Sequence, residues 1–158
     1  MLLWAANEFL KRFSDNFNVT HSKYSFEIHR LPASESAPQA IAHYVDYVAK
    51  TRGECNWQTR VQHLSKDAGE MHHALVCWLK YPLWHLDRSF SQIQPDAPLA
   101  GFVMECFNRV GIVRSWRVGI FKPEGEFMKP FYESAWDDFL IQTPDGFLFL
   151  HLGVSDAS

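Results

Sequence analysis

Apolar residues return every three or four positions at the start of the chain, and every second position soon afterwards. Leu3, Ala6, Leu10, Phe13 and Phe17, with Leu2 and Phe9 beside them, make one stripe across residues 2–17. That spacing predicts an amphipathic helix, closed by "DNFN". In "YSFEIHR", residues 24–30, Tyr24, Phe26 and Ile28 alternate with Ser25, Glu27 and His29. Alternation of this kind predicts a half-buried strand.

"LPASESAP" leads into a second helix. Ser36 with Gln39 three residues later is a capping-box pattern, and Pro38 fits the first turn. Ile41, Tyr44, Val45 and Val48 mark its inner face, and Gly53 is the expected stop. Next, "WQTRVQHL" alternates Trp57, Thr59, Val61 and His63, "SKDAGE" is polar, and "MHHALVCWLKY" is rich in β-formers. Two strands forming a hairpin across residues 57–81 are the expectation. A helix through 71–80 would be apolar nearly all round and would need full burial.

"PLWHLDRSFSQIQPDAP" carries three prolines and reads as a surface loop. Asp96 and Pro98 open a third helix, with Leu99, Phe102, Val103, Cys106 and Phe107 inward and Gly111 ending it. Residues 112–121, "IVRSWRVGIF", predict a strand. "KPEGEFMKP" is a loop and "FYESAWDDF" a short helix. The final segment, "DFLIQTPDGFLFLHLGV", is a hairpin, because Pro144 presets φ and Gly146 accepts a positive one. Helices and strands follow one another without a βαβ rhythm. The predicted fold is therefore one compact α+β domain over residues 1–158, mainly antiparallel sheet packed with about three helices.

Composition adds a core to that outline. Thirteen Phe, six Trp and five Tyr among 158 residues supply large buried areas. Cys55, Cys77 and Cys106 are odd in number and widely spaced, unlike a disulfide framework. With no CxxC pair, no basic lead before the apolar N-terminus and no apolar run of membrane-spanning length, the expectation is reduced thiols in a cytoplasmic protein.

Charge is uneven. Residues 1–80 hold nine basic and eight acidic side chains, whereas 81–158 hold six and ten. From Pro123 onward the acids are Glu124, Glu126, Glu133, Asp137, Asp138, Asp145 and Asp156, and Lys129 is the only base. An acidic tail of this kind argues against nucleic acid as a partner and suits a protein with a basic surface.

Candidate chemistry concentrates in "GEMHHALVCWLKYP", residues 69–82. Glu70, His72, His73 and Cys77, with His63 upstream, include good zinc-ligand types. On a strand His73 and Cys77 would stand roughly 13 Å apart, too far for one ion. A metal site would require a helix there. Cys77, between Val76 and Trp78, and Cys106, on an inner helix face, read as buried inert thiols, and Glu54 and Asn56 beside the exposed Cys55 would not lower its pKa. Phosphate-binding and serine-hydrolase fingerprints are missing. Arg114, Trp116 and Arg117 are one Arg/Trp triplet without a wider basic stripe, so they read as an ordinary strand. No metal and no cofactor are expected.

The carboxylates near the aromatics remain. Glu124, Glu126, Glu133, Trp136, Asp137 and Asp138 are expected to form an acidic, aromatic-bearing surface that binds another protein. A cytosolic inhibitor, such as a bacterial immunity protein that neutralises a toxin, is one concrete form. The alternatives are a small hydrolase or isomerase with a pocket near His63, His73 and Glu70, or a non-catalytic subunit of a hetero-complex.

Overall fold

The computed structural model describes residues 2–16, 22–65, 69–86, 96–122 and 135–156. Four helices and five strands follow in the order α1 (Leu2–Asn16), β1 (Ser22–Arg30), α2 (Ala37–Thr51), β2 (Gln58–Leu64), α3 (Glu70–Leu86), α4 (Asp96–Val110), β3 (Arg114–Phe121), β4 (Ala135–Thr143) and β5 (Gly146–Asp156). The strands form one sheet in the order β1-β5-β4-β3-β2, with every neighbouring pair antiparallel. This is the predicted α+β class, with one helix more than expected.

Two cores share the sheet. On one face α1, α3 and α4 pack onto Tyr24, Phe26 and Ile28 of β1, Phe139 and Ile141 of β4, and Leu148, Leu150 and Leu152 of β5. On the other, α2 covers Val118, Ile120, Leu140, Phe147 and Phe149. Covering both faces explains why β4 and β5 read as nearly continuous apolar runs: a strand sandwiched between helices has no wet side to alternate with.

Local signals place most of the elements. Ser36 Oγ accepts the Gln39 N–H at 3.3 Å, while Gln39 Oε1 accepts the Glu35 N–H at 2.8 Å, one position before the cap. Gly53 and Gly111 stand just past α2 and α4 with φ of 71° and 99°, the left-handed turn that ends a helix most cheaply with glycine. Edge strand β1 is guarded by α1, since the Ile28 N–H donates to Asn7 Oδ1 at 2.8 Å.

Three expectations are corrected. Residues 70–86 form helix α3, not the second strand of a hairpin; the strand β2 before it stands as expected. Met71, Ala74, Leu75, Trp78 and Leu79 are buried while His72, His73 and Cys77 are exposed, so the segment has a true helical stripe. The same helix takes in Pro82–Leu86, read from sequence as loop; residues 87–95 lie outside the described residues. The third correction is at 135–139, which belong to β4 and not to a short helix. Their backbone pairs with β5 throughout, and at Asp138 and Phe139 with β3 as well.

Candidate functional site

Helix α3 sends the polar residues of "GEMHHALVCWLKYP" in three directions. Glu70 turns to Arg117, Oε2 to Nε 3.5 Å. His73 and Cys77, one turn apart, meet with Nε2 and Sγ 3.6 Å apart in an exposed position. His72 lines a cleft whose wall Glu70 shares. Converging His73 and Cys77 revives the metal question, but the pair supplies two donors. Among the described residues no three His, Cys, Asp or Glu side chains are placed to hold an ion.

Strand β4 decides the fate of the predicted acidic surface. Successive side chains alternate across a sheet, so Trp136 and Asp138 face α2 whereas Asp137 faces α3. Asp137 accepts the Trp78 indole N–H at Oδ2 (2.7 Å) and pairs through Oδ1 with Arg117 Nη1 (2.5 Å). Arg117 thus joins Asp137 to Glu70 and also lies over the Phe139 ring, its guanidinium carbon 5.0 Å from the centroid. These contacts tie α3 to the middle of the sheet.

Asp138 is a correction. Its side chain is 0% exposed and cannot belong to a recognition surface. It faces His151 directly across the β4–β5 pairing, Oδ1 to Nδ1 2.6 Å. Beyond β5, Glu27 of β1 stands opposite His151, and Glu27 Oε2 is 2.8 Å from His29 Nε2. The hydrogen bond from His29 holds the Glu27 carboxyl below its ordinary value, against a smaller opposing effect of burial. Trp136 is half-buried against the α2 core. Glu124, Glu126 and Glu133 lie outside the described residues. Of the six predicted residues, the three described ones are therefore split between two faces and the interior.

Two clefts stand out. One, of about 500 Å³, opens where β2 leaves the sheet and β3 enters it, between the start of α3 and the end of α4. Leu64, Met71, Met104 and Ile112 give it an apolar floor, and His63, His72, Asn108 and Arg114 stand on its rim. Glu70 is in its wall, so two of the three residues expected at a pocket are there, but the imidazole beside them is His72 and not His73. The other cleft, of about 560 Å³, runs between the first turns of α1 and the end of β1, with Trp4, Asn7, Arg30 and Asp145 among its walls. Trp4 is 68% exposed beside it.

Sequence reasoning missed His151, Arg114 in its cleft role, and Trp4. Only His151 carried a readable signal: one polar residue inside "FLFLHLGV" must find a buried partner. Compared with protein-family models, with curated proteins and with solved structures, the chain matches none.

Proposed function

We propose that the chain is a protein-binding module of the inhibitor type, the toxin-neutralising kind included. The observation that carries this reading is Trp4. It is a large aromatic two-thirds in solvent at the edge of a cleft whose wall includes Arg30. Tryptophan and arginine are the side chains most enriched among residues that dominate interface energetics. The described carboxylates expected at the interface serve internal ties instead, so the binding surface is better drawn around Trp4 and Arg30 than around β4. An acidic contribution from Glu124, Glu126 and Glu133, favouring a basic partner, belongs to the same proposal.

Affinity purification from the native host, followed by binding measurements on the purified companion, tests this. Trp4→Ala is expected to weaken the complex by about 30-fold, equivalent to about 2 kcal/mol. A companion that binds wild type and Trp4→Ala equally would remove the surface, and recovery of no stoichiometric companion would remove the reading.

The 500 Å³ cleft supports a second reading, a small hydrolase or isomerase. Its size suits a small-molecule site, and His63, His72 and Glu70 are acid–base residue types on one wall system. Turnover by wild type that disappears in His63→Ala and His72→Ala, with the fold retained, is the result this reading requires.

A further inference from the structure

The rim of the 500 Å³ cleft is chemically one-sided. Arg114, at the first position of β3, is its one full cation among the described residues. Glu70 is its one carboxylate there, and Arg117, 3.5 Å away and shared with Asp137, offsets that charge in part. The nearby Glu105 on α4 is likewise paired, with Arg109 at 2.7 Å. The side chains of Arg114, His63, His72, Asn108, Ser65 and Ser115 make no hydrogen bond or ion pair with any other described residue. Six polar residues thus line one concavity without a side-chain hydrogen bond to another described residue, the His63 ring lying edge-on to Trp116, while Leu64 and Met71 of the same lining are buried and apolar.

We infer that this cleft binds a small organic anion, an oxyanion headgroup on an apolar body. The guanidinium of Arg114 offers the planar pair of N–H donors that matches a carboxylate or phosphate edge. His72 supplies a further ring N–H donor, and Asn108 and Ser115 can hold the remaining oxygens. The apolar body lies against Met71, Met104 and Ile112; methionine's flexible thioether fits a range of shapes. Arg117, shared between Glu70 and Asp137, reduces the repulsion of the headgroup by Glu70, and Arg114 supplies the unshared positive charge. The inference shares the cleft of the enzymatic reading and rests on it only there: it requires binding, not turnover.

Amide chemical-shift mapping on the full chain tests it, with benzoate and phenyl phosphate as probes and inorganic phosphate and benzamide as comparisons. Benzoate or phenyl phosphate should shift residues around Ser65, Glu70, Asn108 and Arg114, and the stronger of the two identifies the headgroup. Arg114→Gln should weaken that probe about tenfold, with neutral benzamide already that much weaker in wild type. His72→Ala, at an exposed helical position, should weaken it by a smaller factor and serves if Arg114→Gln disturbs β3. No saturable shifts at the cleft, shifts untouched by either substitution, or inorganic phosphate binding as well as phenyl phosphate would each overturn the inference. Binding without any hydrolysis of phenyl phosphate upholds it and counts against a phosphatase form of the enzymatic reading.

Discussion

His151 and Asp138 face each other across β5 and β4 with 2.6 Å between Nδ1 and Oδ1, and both side chains are buried. A buried carboxylate is tolerated only with such partners, and removing one member takes a close hydrogen-bond partner from the other. Asp138→Ala should therefore cost about 3–5 kcal/mol of stability. Asp138→Asn, which keeps an oxygen for the imidazole, should cost less. Urea denaturation near neutral pH measures both. A loss of under about 1 kcal/mol in Asp138→Ala would mean the pair contributes little beyond filling space.

Glu27 gives the fold an acid-side dependence. The His29 hydrogen bond lowers the folded-state pKa of Glu27 below its ordinary value of 4.5. A depressed acid stabilises the fold fully above its unfolded pKa and loses that contribution as pH falls through the folded value. In Glu27→Gln this dependence is absent. Stability compared between the two proteins from neutral pH downward should show wild type losing its advantage only below pH 4.5. Parallel curves through that window would contradict the assignment.

The tie between α3 and the sheet is also measurable. Trp78→Phe keeps the ring packed against Phe26, whose centroid lies 5.8 Å away, but removes the N–H that Asp137 accepts. A hydrogen bond to a charged acceptor contributes about 1.5–3 kcal/mol, so a loss in that range is expected. Asp137→Ala, which also removes the closer of Arg117's two carboxylate partners, should lose at least as much. If Trp78→Phe is neutral by denaturant midpoint, packing and not the indole N–H holds α3 in place.

Most of the fold was legible where one period dominated. Leu3, Ala6 and Leu10 announced α1, Ser36 and Gln39 announced α2, and Pro144 to Gly146 announced the last hairpin. Two segments were misread for opposite reasons. In α3, Val76, Cys77 and Trp78 favour strands locally, and the burial of Met71, Leu75 and Leu79 overrides that preference. In β4, the acids beside Trp136 imitated a polar helix face, although Phe139, Leu140 and Ile141 already marked a strand buried on both sides. The site was less legible, because a cleft is made by chain reversals. His63, His72 and Arg114 come from three elements, and no spacing within one element could join them.

Thiol chemistry separates the three cysteines. Cys55 is exposed and Cys106 buried on the inner side of α4, as expected, but Cys77 is exposed and not buried, because α3 turns it to the outer face opposite Leu75 and Leu79. Burial first, and the Glu105 charge after it, push the Cys106 thiol up from its ordinary value and disfavour the reactive thiolate. Alkylation of the native protein followed by peptide mass spectrometry should label Cys55 and Cys77 and spare Cys106. Cys106 should react only once denaturant unfolds the chain. Early labelling of Cys106 would mean that α4 opens readily.

His73 and Cys77 allow the α3 assignment itself to be tested in solution. Donors one helical turn apart can share a zinc ion, while on a strand they would stand about 13 Å apart and could not. The observed 3.6 Å approach of Nε2 and Sγ belongs to the helical case. Two donors bind weakly, so zinc should stabilise wild type only in excess, by about 1.4 kcal/mol at tenfold over its dissociation constant. His73→Ala and Cys77→Ser should each abolish that shift in thermal melting, whereas Cys55→Ser should not. Zinc stabilisation that persists in both α3 variants would place the ion elsewhere. A wild type indifferent to zinc would mean that the His73–Cys77 approach is not held in solution.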